Sequence, residues 1–540
     1  MNVKNNNVEP KLGAVYTPIE IATSVCDLVL SKLIIKENKT VSILEPSVGD
    51  GLFIKALDRF EIDFNLTAVD INANVISELK LNQTKDLSSK RKFINANYID
   101  YKNSYKNKKF NLIIGNPPFI KKHDFTREFK ESLDQLSENL KYDRKDLKNA
   151  WAAFVVAAEH SLTRDGVLSF IVPYELMNVA YGQKLQQSVF TLFKRVDIYI
   201  PDEKAFKEID QDAVVFIAQK TSNEEHGVFV HRVNCLSNLS ILSSGKINLT
   251  EKENLSIDLK GFLFDKKTTD LLHKIKSCCK TVNDFCISAP GIVTGANDFF
   301  IQKREVVDEY ELVKYSKKIL KKGSYLPLGP IFKNENYTKL EENEPCYLIY
   351  FKNDNYDSFS KKVKEFLKVG EELGLPQRYK CRNRKTWYEV PLTPSTEGFF
   401  FKRSHSFPRL CVNEANVLVT DTAYRISMKN DYSINGLCYS FYNSLTLLFA
   451  EIYGRFYGGG VLELTPSEFK KLPIIYKEPT PKELSDFIDA HESEKQTPGS
   501  LTDFGDNWLK GKLNLSDEEI HILKDALTII KNHRLRHGKS

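Results

Sequence analysis

Between Val41 and Ala218 the chain alternates short apolar runs with helix-like segments, and this alternation restricts its first part to one fold class. Val41 to Leu44, Phe64 to Val69, Lys92 to Ile94, Phe110 to Ile114, Val167 to Val172, Val196 to Ile200 and Ala213 to Ala218 read as strands. Leu52 to Arg59, Ala73 to Lys80 and Ala150 to Leu162 read as helices, the last leading through Arg164-Asp165-Gly166 into the next strand. Such a series predicts a parallel-rich sheet with helices on both faces, an α/β doubly wound domain. From Thr221 to Lys260 the sequence turns polar and Ser/Asn-rich, which reads as an inter-domain connection. Beyond it the alternation is lost, and Gly, Pro and aromatic residues punctuate a mixed α+β domain. The C-terminal stretch reads as helical, with Ser516-Asp-Glu-Glu519 as a capping box that opens an amphipathic helix through Arg534. The expected boundaries are residues 1–240, 241–475 and 476–540. Asp124 to Lys148 is strongly charged and is expected to form a mobile helical flap.

At 540 residues the chain is long enough for two or three domains, and 27% charged with 11% aromatic residues excludes wholesale disorder. No apolar run nears the ~20 residues of a membrane span, and Met1 to Lys11 has no signal-peptide core. A soluble, cytoplasmic protein without membrane contact is expected. Of nine cysteines only Cys278 and Cys279 are close together, which gives neither zinc spacing nor a disulfide framework. No metal is expected. The net charge of +6 does not by itself demand a polyanion, but its distribution is uneven. Arg378, Lys380, Arg382, Arg384, Lys385, Lys402, Arg403 and Arg409 face only Glu389 and Glu397, with Tyr379, Trp387, Tyr388 and Phe399 to Phe401 interleaved. The stretch suits phosphate contacts with aromatic stacking, and equally a solvated strand-and-loop region.

Three motifs carry chemistry. In Ile43-Leu-Glu-Pro-Ser-Val-Gly-Asp-Gly51 an apolar strand ends in an acid and a tight glycine loop that feeds a helix. In a doubly wound sheet, ligands bind at such carboxyl ends; the same pattern also serves an ordinary strand–turn–helix. Asp70, at the end of the next strand, is suited to a ribose hydroxyl pair, or to capping the helix that starts near Asn72. The third motif, Asn116-Pro117-Pro118-Phe119, follows the buried run Phe110 to Ile114. Two prolines lock the backbone into an extended shape, which presents the Asn116 amide and the Pro117 carbonyl as fixed acceptors. Converging acceptors suit an –NH2 group, and the Phe119 ring offers a stacking face.

In this order the motifs resemble the gamma class of S-adenosylmethionine-dependent adenine DNA methyltransferases, the TaqI-type modification enzymes of restriction–modification systems. Gly13-Ala-Val-Tyr16-Thr17-Pro18 resembles the element that closes over the methionine end of the cofactor. Glu45, Pro46, Ser47, Val48, Gly49, Asp50 and Gly51 resemble the cofactor loop, and Asp70 with Ile71 the ribose-binding strand end. Asn97-Tyr98 falls where the family has an Asp-aromatic pair near the cofactor's adenine, with Asn97 in place of the acid. Asn116 to Phe119 matches the catalytic D/N-P-P-Y/F motif, whose Pro118 also borders the cofactor, with Phe119 in place of the commoner Tyr. Phe206 matches a second aromatic contact to the target base, a core aromatic being the other reading. The resemblance spans Gly13 to Lys220. It extends more weakly to Gly291 to Phe300 and to Tyr457-Gly-Gly-Gly460, where close approach to DNA and a simple loop are both open.

The resemblance implies a methyltransferase domain followed by a target-recognition domain and a helical segment. It implies an adenine-specific DNA methyltransferase that acts on double-stranded DNA and protects a site from a cognate endonuclease. The expected mechanism has Asn116 and Pro117 accept the two N–H groups of a flipped-out adenine, with Phe119 and Phe206 replacing its lost stacking. Arg378, Lys380, Arg382, Arg384, Lys385, Lys402 and Arg403 are expected on the DNA side. The same acceptor pair would serve cytosine's amino group or RNA, which remains the alternative. Intact motifs argue against a dead methyltransferase core. A start near Met1 without a nuclease cluster predicts a separate endonuclease with no stable complex, and a monomer.

Overall fold

Each apolar run in the first part of the chain becomes a strand of one nine-stranded sheet. A computed structural model describes residues 17–33, 40–82, 90–140, 147, 149–177, 190–206, 212–247, 255–327, 329–352, 356–457, 460–493 and 499–535. The chain divides into two compact units, the first ending at Thr269 and the second running from Asp270 to Leu535.

In the first unit the strands are β1 (Val41–Glu45), β2 (Phe64–Asp70), β3 (Arg91–Asn95), β4 (Phe110–Gly115), β5 (Leu162–Pro173), β6 (Arg195–Pro201), β7 (Ala213–Gln219), β8 (Gly227–Cys235) and β9 (Asn238–Ile247). Their order is β3-β2-β1-β4-β5-β7-β6-β8-β9. The run from β3 to β5 is parallel throughout, and β7 lies antiparallel between β5 and β6. Alternate residues of β1 serve opposite faces. Val41 and Ile43 join a core with Val25 and Val29 of α1 (Ile19–Lys32) and Phe53 and Ile54 of α2 (Leu52–Leu57), while Leu44 is fully buried outside that cluster. The helix Ala150–Glu159 is apolar on every side and accordingly sunk in the protein, with Trp151 fully buried. The doubly wound architecture is therefore present.

Two expectations change. The polar segment after Thr221 is not a connection between domains: β8 pairs parallel with β6, and β9 closes the sheet antiparallel to β8. β9 is an edge strand exposed along nearly its whole length, where Asn238, Ser240, Ser243 and Ser244 face solvent together with Ile241 and Leu242. Leu162 to Gly166 belong to β5, the expected turn being absorbed as an irregularity between the pairs Phe110–Leu162 and Leu112–Val167. The helix Arg127–Leu140 forms within the charged segment and buries Leu133 and Leu136; residues 141–146 and 148 lie outside the described residues.

The second unit is mixed α and β. One antiparallel sheet pairs Cys286–Pro290, Ala423–Met428, Gly398–Phe401 and Arg409–Val412 in that order. The C-terminal helices Pro481–Ser493, Ser500–Leu513 and Asp517–Leu535 belong to this unit. The last one opens on the expected capping box, with Ser516 N–H donating to Glu519 Oε2 at 2.9 Å and Glu519 N–H to Ser516 Oγ at 3.1 Å. Near its end Arg534 is fully buried and donates to both oxygens of buried Glu451, at 2.8 and 2.7 Å. It also donates to the carbonyls of His405 and Gly460, so Gly460, with φ of +72°, has a structural partner; Gly458 and Gly459 lie outside the described residues.

Removing one partner of a buried pair strands the other charge. Arg534→Ala is expected to cost about 3–5 kcal/mol of stability, read as a lower denaturant midpoint. An unchanged midpoint would show that water reaches Glu451.

Candidate cofactor and amino-group site

The topology names the place. From β1 the chain winds outward through β2 and β3, then crosses to β4 on β1's other side, so the carboxyl ends of β1 and β4 flank a switch point. Glu45 ends β1, Asp70 ends β2, and Gly115 of β4 leads into Asn116.

The loop after Glu45 is held from both sides. Gly49 and Gly51 have φ of +50° and +74°, and a Cβ on Gly51 would lie 2.8 Å from Leu79 Cδ2, so only glycine fits there. Gly49 N–H donates to Asp70 Oδ2 at 2.9 Å, Val48 N–H to the Val69 carbonyl at 3.1 Å, and Asn72 N–H to Asp70 Oδ1 at 2.8 Å. On the opposite side Ser47 Oγ–H donates to the Asn116 carbonyl at 3.0 Å. Asp70 thus fastens the loop to β2, and an ionised carboxylate retains further lone pairs for a ligand. It is not the cap of α3 (Ala73–Leu81): Asn72 is, accepting from the N–H groups of Asn74 and Val75.

Three acids gather at this corner. Glu45 is 1% exposed, and its Oε2 has no hydrogen-bond partner. Burial pushes its carboxyl well above the usual range, and the neighbouring charges of Asp50 and Asp70 push the same way. Asp50 is raised as well, chiefly by burial, against the lowering effect of the Leu52 N–H. Beside Asp70, Ile71 is 62% exposed, a bare aliphatic face next to an acid. An orphaned buried carboxyl, an acid at a strand end and an uncovered isoleucine suit a nucleoside with a cationic end, so these residues fit S-adenosylmethionine. Tyr16 lies outside the described residues.

The amino-group side is built on Asn116. Its Nδ2 donates to Thr17 Oγ1 at 3.1 Å, which fixes the amide plane and turns the acceptor oxygen the other way. Thr17 is buried and precedes Pro18, whose carbonyl accepts the Ala22 N–H as α1 begins. The three motif segments therefore form one chain of hydrogen bonds, Ser47 to Asn116 to Thr17. No spacing rule announces that chain. Pro117 and Phe119 are buried, and Pro118 is half-buried.

Other candidates take structural positions. Asn97 Oδ1 accepts from Ile99 N–H at 2.9 Å and so caps the helix Tyr98–Ser104. Tyr98 is buried with its ring 5.0 Å from Phe154, and burial raises its hydroxyl pKa. Phe206 is 5% exposed within the apolar core that includes Tyr199, Val215 and Val233. As placed, it is packed in the core, and Phe119, at 9% exposed, is nearly as covered. In the second unit Phe399, Phe400, Phe401 and Tyr388 are buried and Trp387 is half-buried, while Tyr379, 65% exposed, is the most open of these rings beside the basic residues. Arg378, Lys380, Arg382 and Lys385 are exposed, Lys402 is half-buried, and Arg403 donates to Glu463 at 2.8 Å. Arg384 is turned inward onto backbone carbonyls.

Known proteins match both units. Residues 17–200 match the family model described as the Eco57I restriction-modification methylase, and residues 258–507 match the C-terminal domain of the type II methyltransferase M.Eco57I. The type II methyltransferase M.AccI of Acinetobacter calcoaceticus is 22% identical over 487 residues, covering 85% of each chain. M.HincII of Haemophilus influenzae is 25% identical over 276 residues, half of each chain. Among solved structures, the type IIG restriction endonuclease BpuSI aligns with 98% of this chain and 67% of its own at 15% identity, with a TM-score of 0.42.

Glu45 sets a pH dependence. Its raised pKa means that it is protonated over a wider range than an ordinary carboxyl, while a cation beside it favours the ionised form. Affinity for S-adenosylmethionine should therefore rise with pH through the Glu45 pKa, and Glu45→Gln should weaken binding and flatten that rise. Calorimetric titration across pH checks this; a flat wild-type profile removes Glu45 from the cofactor site.

Proposed function

We propose that this chain, which belongs to the type II restriction–modification DNA methyltransferases and uses S-adenosylmethionine, methylates the exocyclic amino group of a flipped-out adenine in double-stranded DNA. The observation that carries the reading is the bond network at Asn116. Its side chain is oriented by Thr17 and its backbone by Ser47 of the glycine loop, so the –NH2 acceptor and the cofactor loop are one assembly.

When bound, S-adenosylmethionine supplies a methyl group already activated by its sulfonium. Residues Pro46 to Gly51 would hold it, with Asp70 on the ribose and Ile71 against the adenine ring. Adenine's amino lone pair is delocalised into its ring, so the nitrogen is a weak nucleophile. Asn116 Oδ1 and the Pro117 carbonyl, accepting its two N–H groups, favour a more pyramidal nitrogen and stabilise the positive charge that builds there. Both acceptors are fixed before the base arrives, and little reorganisation accompanies the reaction. Phe119 supplies the stacking face for the flipped base, and Phe206 packs in the apolar core. The second unit acts as the target-recognition domain, with Arg378, Lys380, Arg382 and Lys385 on phosphates. The enzyme works as a monomer alongside a separate endonuclease.

Asn116→Ala is expected to lower kcat about a hundredfold or more while DNA and cofactor binding persist. Thr17→Val, which frees the amide to rotate, should cost about fivefold in kcat. Near-normal turnover of Asn116→Ala sinks the assignment. Expression in a host without adenine methylation, followed by single-molecule sequencing, should show methyl-adenine at one short motif. Methylated cytosine amino groups in its place would keep the chemistry and change the base, and a clean methylome from cofactor-binding protein would point to RNA.

A further inference from the structure

Two segments singled out separately in the sequence, Gly291 to Phe300 and Arg378 to Lys385, meet in the second unit, and Arg384 joins them. Its Nη2 donates to the carbonyls of Val293 at 3.1 Å and Thr294 at 2.7 Å, and its Nη1 to the Trp387 carbonyl at 3.4 Å. The guanidinium carbon lies 5.6 Å from the centre of the Phe300 ring. Among the described residues no carboxylate pairs with it. A guanidinium spent on three carbonyls is a staple for backbone, and a lysine, with one compact ammonium, cannot reproduce that fork.

The contact is tight from the other side too. Gly295 has φ of +76°, and a Cβ there would lie 2.9 Å from Lys380 Cβ and 3.4 Å from Cys381 Sγ. The short helix Tyr379–Arg382 therefore rests directly on the loop, with Cys381 fully buried beneath it. Thr294 Oγ1 accepts the Ala296 N–H at 3.2 Å and bonds Asn297, which carries the loop into the turn Asn297–Phe300. What faces outward is cationic. Arg378, Lys380, Arg382 and Lys385 are exposed, no acid occurs between Arg378 and Tyr388, and Lys380 and Arg382 sit 5.8 and 5.5 Å from the ring centre of exposed Tyr379. Val293, at the edge of the stapled loop, is 37% exposed.

We infer that Arg384 is a positioning residue for DNA recognition: it locks the loop Val293–Asn297 and the helix Tyr379–Arg382 into one surface that docks on the DNA backbone. Arg378, Lys380, Arg382 and Lys385 take phosphates, and the loop lies beside them as the edge presented to the bases. Arg384 itself touches no DNA. This deepens the reading of the chain as a DNA methyltransferase and rests on it.

The test pairs Arg384 with Arg382 in the full-length protein, on duplexes that carry the motif found by methylation mapping. Arg382→Ala should weaken DNA binding and lower the slope of log affinity against log salt by about one, and Arg382→Lys should restore both. Arg384→Lys keeps its charge but should raise KM for DNA about tenfold with kcat nearly unchanged, because the fork onto the carbonyls is lost. Gly295→Ala should reproduce that KM effect from the opposite side of the contact. Cofactor titration and thermal unfolding report the fold. Should Arg384→Lys fail to fold, Gly295→Ala carries the test on the same readout, and an unchanged KM there overturns the inference. So does an Arg384→Lys protein that binds like wild type, which would make residue 384 an ordinary phosphate contact. Wild-type protein that neither binds nor methylates DNA overturns the underlying reading, a result distinct from either variant's failure.

Discussion

The loop between β1 and α2 has no regular structure of its own, and the site exists because hydrogen bonds to both flanking strands clamp it. Asp70 takes the Gly49 N–H on one side, and Ser47 gives its hydroxyl to the Asn116 carbonyl on the other. Each partner sits at the end of a strand, so the sheet's register sets the loop's position: β1 pairs with β2 from Val41–Phe64 to Glu45–Ala68, and with β4 through Ile43–Leu112 and Leu44–Ile113. A one-residue slip would move either partner about 3.3 Å along its strand and part both bonds. The site is thus a consequence of strand pairing deep in the apolar core, and Asn116 inherits that rigidity through the same clamp.

The two units use charge in opposite ways. Around Glu45 carboxyls are gathered, and burial makes Glu45 and Asp50 costly to ionise, which makes a cationic ligand the natural relief. On the helix Tyr379–Arg382 the charges are cationic and exposed, so they cost little to keep and act by mass, with a salt dependence that buried groups lack. Arg384 and Arg534 belong to neither scheme. Both are arginines turned inward, Arg384 onto carbonyls alone and Arg534 onto carbonyls and the paired charge of Glu451, and both use the planar fork to do so.

How far the sequence could be read follows from these physical differences. Strands β1, β2 and β4 to β7 were legible because largely buried strands are apolar runs bounded by turn residues, and Gly51 was legible because a left-handed φ selects glycine. β9 was not, since an exposed edge strand has the composition of a linker, and β8, an inner strand of alternating burial between β6 and β9, is hidden by the polar residues on either side of it. Asn97, Tyr98 and Phe206 show a different limit: the residue types are legible, but Asn97 forms a helix cap, and the packing of the two rings depends on neighbours distant in the chain. Contacts between distant side chains were out of reach altogether. The buried set in which Asp197 accepts from Arg195 at 2.9 and 2.8 Å and meets His231 at 2.8 Å leaves no local pattern, nor does the staple at Arg384.

The amide at position 116 can be understood from the same electrostatics. Gly115, directly before it, lies against the acid corner: a Cβ there would come within 3.7 Å of Glu45 Cγ. The amide at 116 carries no charge: its nitrogen donates to Thr17 Oγ1, and its oxygen is an acceptor at every pH. Neighbouring strands β1 and β4 therefore end in a carboxyl that titrates and lead into an amide that does not, and on the proposed reading the first answers a cationic ligand while the second answers an –NH2 group.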